Sequence, residues 1–408
     1  MMQSFLSHLE CTQCGRRCSA DELHTTCPSC GKVLFARYDL DAARRSFSKS
    51  DLAGRPWTMW RWFELMPVRN PANIVTLGEG MTPLLPLRRL GLAHGFASLY
   101  VKDEGLNPTG SFKARGLSAA VSKAQELGVR AVAIPSAGNA AGALAAYGTA
   151  AGMDTYVFMP EDAPTINKLE SAICGAHVYL VKGLISDAAK IVRQFGPERG
   201  WFDVSTLKEP YRAEGKKTMG LELAEQFDWD LPEAIIYPTG GGTGIIGMWK
   251  AFEELEQMGW IGAKRPRMIS VQASGSAPVV KAFREGKTTA EPWPNAETMA
   301  AGLRVPYPFA DYLILNAIRE SGGTAVAVDE VEIEMALNEW ARAEGMFVSP
   351  ESAATYAAFK RLVASGFLKP GARVVLFHTG SGLKYPDAVQ AEFTTLDPND
   401  PDLANRLA

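Results

Sequence analysis

Three short apolar runs in this chain end alike, in a turn of small residues, and the first two turns open a helical pattern. They are RAVAIPSAGN (130–139), AIIYPTGGGTG (234–244) and RVVLFHTGSG (373–382). A run of about five apolar residues, buried on both faces, suits a strand of a parallel sheet, because crossover helices cover both sides of such a sheet. Runs of the same kind at LYVKDE (99–104), TYVFMP (155–160), HVYLV (177–181) and RMISVQA (267–273) alternate with helical patterns. The helices are expected at 112–127, NAAGALAAYGTAAG, TINKLESAICG and 245–258. Strands alternating with helices predict α/β domains. The chain has 408 residues, more than one hydrophobic core serves, so more than one domain is expected.

Open α/β sheets bind ligands beyond the carboxyl ends of their strands, so chemistry is sought in the turns. TGGGTG (239–244) packs glycines that let several backbone N–H groups face one concavity, ahead of the positive end of a helix. A phosphate fits such a cradle, although a turn needed only for close packing reads the same way. Gly242, Gly244 and Gly247 match the dinucleotide fingerprint literally, but the next strand ends at Gln272 and Ala273 with no carboxylate for a ribose. No Gly-Lys-Ser/Thr follows, which excludes a Walker loop.

NPTGSFKARG (107–116) places Lys113 at another strand-to-helix junction, beside Gly110 and Phe112. A desolvated lysine near a positive helix end loses basicity, and its free amine condenses with an aldehyde. A surface or anion-binding lysine is the plainer reading of Lys113 alone. An aldehyde that also carries a phosphate would use both the amine and the cradle, and pyridoxal phosphate is that molecule.

Four of the six cysteines form two short hooks, Cys11-x-x-Cys14 and Cys27-x-x-Cys30, separated by twelve residues. Two such hooks complete a tetrahedron of thiolates around Zn²⁺, and with no open position the metal would be structural. The glycines of CTQCG and CPSCG let the backbone turn toward sulfur. Cys18 lies inside the loop as an alternative ligand, and Cys174 reads as a small core residue. The segment WTMWRWFELMPV (57–68) reads as a packing element, because few basic residues accompany its rings.

Net charge is −3, which excludes a nucleic-acid or membrane-surface partner on electrostatic grounds. No apolar run approaches the roughly 18 residues of a membrane span. With no secretory pattern at residues 1–10, a cytoplasmic location is expected.

Taken together and in this order, NPTGSFKARG, SAGNAAGALAAY, PTGGGTGIIG and HTGSGLK resemble the fold-type II pyridoxal-phosphate enzymes. EPYRAEGKKT (209–218), TGSGLK (379–384) and the four-cysteine ribbon resemble the threonine synthase-like branch of that family. The resemblance covers roughly residues 73–390 and implies two doubly wound parallel-sheet domains with the cofactor between them, plus an N-terminal zinc ribbon. The boundaries expected are 1–38 for the ribbon, 39–72 for a linker and packing segment, 73–128 with 221–393 for a large domain, 129–220 for a small one, and 394–408 for a polar tail.

Residue by residue, the resemblance makes Lys113 the cofactor-linking lysine and proton shuttle. Asn139 would bond the cofactor's 3′-oxygen, and Gly240, Gly241, Gly242, Thr243 and Gly244 its phosphate. Thr379 would face the pyridine nitrogen. Ser136 would take the substrate carboxylate, and Arg212, with Thr206 and Lys217, a substrate phosphate. Alone, Asn139 reads equally as a helix cap, Thr379 as a turn residue, and Arg212 with the lysine pair as a solvated face. The activity implied is a carbon–oxygen lyase that makes threonine and phosphate from O-phosphohomoserine and water. The alternative is a threonine/serine-type dehydratase. Family members are often dimers, so a homodimer is implied. Three features depart from the family pattern: Ala114 stands where an acid is usual, Ala140 where a threonine is common, and the phosphate loop has only glycine and threonine where asparagines are often found.

Overall fold

The apolar strands bury both faces, and this dictates the architecture. The computed structural model describes residues 3–401. An antiparallel ribbon comes first, built from β1 (Leu6–Cys11), β2 (Arg17–Ser19) and β3 (Leu34–Tyr38) in the order β2-β1-β3. After α1 (Leu40–Ser46), single helical turns lead to β4 (Leu84–Pro86), α2 (Arg88–Ala93), β5 (Leu99–Asp103) and α3 (Lys113–Glu126). A second unit follows, made of β6 (Ala131–Pro135), α4 (Asn139–Ala150), β7 (Asp154–Pro160), α5 (Thr165–Ile173), β8 (His177–Val181), α6 (Ile185–Arg199) and β9 (Trp201–Asp203). The chain then returns through α7 (Tyr211–Gln226), β10 (Ala234–Pro238), α8 (Thr243–Gln257), β11 (Arg267–Ala273) and α9 (Pro278–Arg284). It closes with α10 (Asp311–Glu320), β12 (Thr324–Val328), α11 (Glu330–Glu344), α12 (Pro350–Ala364) and β13 (Val374–His378).

The large sheet has the order β12-β11-β10-β13-β5-β4, and the smaller one β8-β7-β6-β9. All strands of the smaller sheet run parallel. The large sheet is parallel except at its edge, where β4 runs against β5. Pro86 sits in that edge strand, where a missing N–H costs no ladder bond. Strands β10 and β13 are buried at every position, as expected for a sheet covered on both faces.

Register sets the site. Val374 pairs with Leu99 and with Ala234, so β5, β13 and β10 end side by side. The turns carrying Lys113, the TGGGTG run and the TGSG run therefore leave the sheet at one level. The turn at 136–139 leaves β6 of the smaller sheet.

The structure departs from the expected boundaries at one place. A division at residue 220 would cut the helix begun by EPYRAEGKKT, but α7 runs unbroken across that position, with Tyr211–Ala224 buried. It packs against α3 and α8 of the large unit, so the smaller sheet is complete by Asp203. Strands β4 and β9, three residues each, are too short to stand out in the sequence, and the apolar run TAVAV of β12 is a strand beyond those expected. The polar tail from 394 forms no helix or strand as far as residue 401; residues 402–408 lie outside the described residues.

Helix α7 is buried on every side yet rich in charge, which demands internal partners. Arg115, fully buried, donates from Nε to Glu104 at 2.6 Å and from Nη1 to Glu222 of α7 at 2.5 Å. Its Nη2 reaches Glu104 at 2.7 Å and Glu222 at 2.8 Å. Lys102 of β5 adds a 2.8 Å bond to Glu222. Two cations and two carboxylates thus lock β5, α3 and α7 together. Replacing Arg115 with Met should cost about 3–5 kcal/mol of stability, because two buried carboxylates lose their main partner. Arg115→Lys should recover only part of this, since an ammonium cannot bond both carboxylates in fork geometry. Urea unfolding of the three proteins measures the differences, and an Arg115→Met protein as stable as the parent would refute the reading.

Candidate functional site

Lys113 is the first residue of α3, at the exit of β5. Its loop is bolted to the turn after β13: the Phe112 N–H donates to the Thr379 carbonyl at 3.0 Å, and the Ser381 N–H to the Gly110 carbonyl at 2.9 Å. Ser111 and Gly380 pair as an antiparallel bridge. The Thr379 N–H is held in turn by the Ser352 hydroxyl at 3.0 Å, which His378 Nδ1 contacts at 2.9 Å. Lys113 and Thr379, far apart in sequence, therefore sit on one rigid double loop.

The amine of Lys113 lies 4.0 Å from the centre of the Phe112 ring. Desolvation is the largest influence on it, followed by repulsion from Arg212, while Glu351 acts in the opposite sense; the result is a pKa of about 7. Lys216 is completely buried one turn beyond Arg212, donates to the Phe112 carbonyl, and lies 4.3 Å from the same ring. Desolvation, then Lys113 and Arg212, push its pKa well down. A half-neutral amine at the mouth of a cleft is the state a nucleophilic lysine needs.

The glycine cradle is built by close approach. A Cβ on Gly240 would strike the Gly302 carbonyl, one on Gly244 the Tyr237 hydroxyl, and one on Gly241 would lie 2.7 Å from the Thr206 methyl. Gly242 has φ +82°, a left-handed conformation that disfavours side chains. Helix α8 starts at Thr243, so its first-turn N–H groups have no acceptor within the helix and face the cradle.

Asn139 begins α4, and its Nδ2 donates to the Tyr385 hydroxyl at 3.1 Å. A Cβ on Gly380 would lie 3.4 Å from that same nitrogen. The amide of Asn139 and the Thr379–Gly380 turn are thereby brought together across the two sheets. Ser136 follows β6; its hydroxyl accepts from the Gly138 N–H at 3.3 Å, and residues 136–139 are half-buried on the cleft side.

Arg212, in the first turn of α7, is fully buried. Nη1 donates to the Val204 carbonyl at 2.7 Å, but Nε and Nη2 find no partner among the described residues. An unpaired buried guanidinium is costly, and an anion relieves that cost. Glu209 acts on it through space and does not bond it: its carboxylate accepts the Tyr211 and Arg212 backbone N–H groups, at 2.7 and 3.1 Å, and desolvation raises its pKa to about 7. The loop that holds Arg212 through Val204 also carries Thr206, the residue against Gly241. Arg212 thus adjoins the cradle as a second cationic subsite.

Lys217 is not part of it. The structure turns Lys217 to another face of α7, where its amine lies 2.7 Å from Glu214 and 2.9 Å from Glu254. Successive helix residues point about 100° apart, so Lys216 and Lys217 cannot share a site. Lys216 faces Lys113; Lys217 joins a neutral network of Glu214, Glu254, Lys250 and the Tyr38 hydroxyl of the ribbon, 2.9 Å from Glu214. Neither lysine belongs to a solvated face.

Glu351 has no counterpart among the residues the sequence singles out. It is 5 % exposed at the start of α12, accepts the Gly302 N–H at 2.7 Å, bonds Tyr385, and favours the protonated form of Lys113. A short PES sequence at a helix start gives no sign of this. Only the crossover that returns α12 under the cradle brings Glu351 there.

In the ribbon, the sulfurs of Cys11, Cys14, Cys27 and Cys30 lie within 4.8 Å of one another. Cys11–Cys30 is 3.4 Å, Cys14–Cys30 3.6 Å and Cys14–Cys27 3.7 Å. A tetrahedron with Zn–S bonds of about 2.3 Å has edges of roughly 3.8 Å, so the donor set fits that ion. Gly15 and Gly31, both at φ +70°, close the hooks, and the Gln13 and Cys14 N–H groups point at the Cys11 sulfur at 3.5 Å. Cys18 stands outside this cluster.

A family model described as pyridoxal-phosphate dependent enzyme matches residues 75–380. The chain is 40% identical over 379 residues to a threonine synthase of Methanocaldococcus jannaschii, covering 93% of each chain. It is 40% identical to one of Methanosarcina acetivorans over 94% of this chain and 93% of the relative. A threonine synthase of Mycobacterium tuberculosis is 33% identical over 84% of this chain and 93% of its own. Among solved structures, maize serine racemase superposes with a TM-score of 0.65 at 22% identity, covering 74% of this chain and 88% of its own. The serine racemase of Dictyostelium discoideum does so at 0.62 and 25% identity, over 74% and 92%.

The electrostatics make a pH prediction. Deprotonated Lys113 captures the aldehyde, so capture by cofactor-free protein should rise with pH through a midpoint of about 7 and level off above it, far below the 10.5 of a free lysine. Glu351→Gln removes the group that favours the ammonium and should move the midpoint lower. Stopped-flow absorbance across the neutral range reads both midpoints; an upward shift in the variant would contradict the geometry.

Proposed function

The chain belongs to the pyridoxal-phosphate dependent enzyme family, and from that premise we propose that it is a threonine synthase, converting O-phosphohomoserine and water to threonine and phosphate. The observation that carries this reading is Arg212. Expelling a β-hydroxyl, as a dehydratase does, needs no buried guanidinium, whereas a γ-phosphate leaving group needs one. The relatives at 33–40% identity, whose lengths this chain matches, bear the same name.

The residues present fit the cofactor: an amine half-neutral near pH 7, a side-chain-free cradle at a helix start, and an amide that donates toward the cleft. Lys113 would hold the aldehyde, residues 240–244 the phosphate, Asn139 the 3′-oxygen, and Thr379 the pyridine nitrogen. A hydroxyl there, unlike a carboxylate, does not force that nitrogen to stay protonated. When bound, the cofactor supplies an electron sink for carbanions at Cα and Cβ.

The chain's own residues do the rest. Ser136 and the backbone amides of 136–139 orient the substrate carboxylate. Lys113 Nζ takes a proton from the substrate's α-carbon and then one from its β-carbon, so that the γ-phosphate can leave, and returns protons to Cγ and Cα later, a task suited to a pKa near the working pH. Arg212 receives the departing phosphate with its two unused nitrogens, Thr206 adds a hydroxyl beside it, and Lys216 steadies the loop behind Lys113 by donating to the Phe112 carbonyl. Water then adds at Cβ.

The same reading includes structural zinc on Cys11, Cys14, Cys27 and Cys30, and a cytoplasmic homodimer. Among the described residues, no helix is long and apolar enough to cross a membrane.

Purified protein incubated separately with O-phosphohomoserine, threonine and serine should release phosphate and form threonine from the first only. Keto acid from the other two, without phosphate, would assign it to the dehydratases. Arg212→Ala should lower kcat/KM for O-phosphohomoserine by about 10²–10³-fold and keep the cofactor absorbance band; loss of that band would place Arg212 at the cofactor instead.

Zinc has its own test. One metal per chain should be found by elemental analysis, and Cys27→Ser should lose it and lower the thermal midpoint. A metal-free parent protein of equal stability would remove zinc from the description.

A further inference from the structure

Most of WTMWRWFELMPV does pack inward: Trp60, Trp62 and Phe63 lie in the core. Trp57 does not, and is 64 % exposed. It lines an open cavity of about 540 Å³, with Lys49, Arg61, Glu225, Asp228 and Trp229 around it. None of these residues belongs to the cofactor site or the Arg212 subsite.

An ion pair satisfied on one side only lies at this cavity. Arg61 Nη2 donates to Glu225 Oε1 at 2.7 Å and to the Leu52 carbonyl at 2.8 Å. Arg61 Nε and Nη1 have no partner among the described residues, nor has Glu225 Oε2, although Arg61 is only 4 % exposed. Two unused donors and one unused acceptor therefore belong to one ion pair whose residues line the cavity, each atom costly to leave unbonded in a buried setting.

The rim repeats this polarity. Lys49 Nζ lies 4.4 Å from the centre of the Trp229 ring, and Asp228 favours its charged form against desolvation. The Arg61 guanidinium lies 4.9 Å from the centre of the Trp57 ring. A purely anionic ligand would serve the arginine and leave the Glu225 oxygen unbonded; a purely cationic one would do the reverse. A molecule with a carboxylate and an ammonium on one carbon serves both, and the two indoles offer its side chain an apolar or cation–π contact.

We infer that this cavity binds a free α-amino acid as its zwitterion, with the carboxylate toward Arg61, the ammonium toward Glu225 and Asp228, and the side chain between Trp57 and Trp229. The inference is independent of the reaction proposed above. It rests on the paired unused donors and acceptor and on the two rings.

Holoenzyme titrated by calorimetry with each of the standard L-amino acids tests it, with the cofactor absorbance band followed in parallel. At least one should bind saturably without changing that band. Trp57→Ala and Asp228→Asn, both at the solvent-facing rim, should each weaken the binding tenfold or more. The methyl ester and the N-acetyl derivative of the responding amino acid, each lacking one charge, should bind at least tenfold more weakly than the parent. The proposal is overturned if no amino acid binds saturably, or if all binding follows the cofactor band. Binding that Trp57→Ala and Asp228→Asn leave intact also overturns it, as does equal binding of either derivative.

Discussion

The guanidinium of Arg115 is the fixed point of this molecule. It lies two residues after Lys113 and holds two carboxylates at once, Glu104 behind β5 and Glu222 in α7. A buried arginine that satisfied only one of them would leave the other as an isolated charge at several kcal/mol of cost. Because it satisfies both, the helix that starts with Lys113 and the helix that starts with Tyr211-Arg212 have one relative position. Asn107 and Thr82 complete the coordination of Glu104, at 2.8 and 2.7 Å, which draws the NPTGSF loop into the same lattice. The distance between the amine and the second cationic subsite is thus set by a charge network in the core, away from the cleft.

This arrangement explains why the cleft is electropositive while its foundations are neutral. The Arg115 network balances two cations with two carboxylates, and so does the network of Glu214, Lys217, Lys250 and Glu254 beside the ribbon. No carboxylate is bonded to Arg212 or Lys216, and Glu209 and Asp203 act on Arg212 only through space. Each buried cation without a carboxylate raises the cost of the next, so the burden falls on the most easily deprotonated groups, the amines of Lys113 and Lys216. Burial is the main cause of the basicity lost by Lys113 and repulsion from Arg212 the second, and anionic groups that enter the cleft oppose the second. Two phosphates, one of the cofactor and one of the substrate, suit a cleft of that sign.

Much of this is legible in the sequence, for a physical reason. Strands buried on both faces must be apolar throughout, and turns that approach a ligand must lack side chains, so AIIYPTGGGTG announces strand, cradle and helix in one run. The ribbon is legible because hook spacing is dictated by metal geometry. Direction around a helix buried on all sides is not. EPYRAEGKKT offers no apolar stripe to orient it, so Lys216 and Lys217 look equivalent in the sequence, and the lysine that reads as a substrate ligand belongs to the ribbon network. Glu351 and Arg115 are hidden for a related reason: their meaning comes from distant partners, Gly302 and Glu222, and no local pattern encodes such pairings.

The departures at 114 and 140 take a different meaning in three dimensions. Ala114 is wholly buried and Ala140 nearly so, and both belong to one apolar cluster with Leu117, Val121, Ala141 and Leu144 where α3 packs on α4. A carboxylate at 114 would be desolvated there, whereas an alanine leaves no polar group unpaired. Both alanines therefore fit the apolar packing of α3 on α4. The polar side chains next to that seam have partners outside it: Asn139 bonds the Tyr385 hydroxyl and Arg212 the Val204 carbonyl.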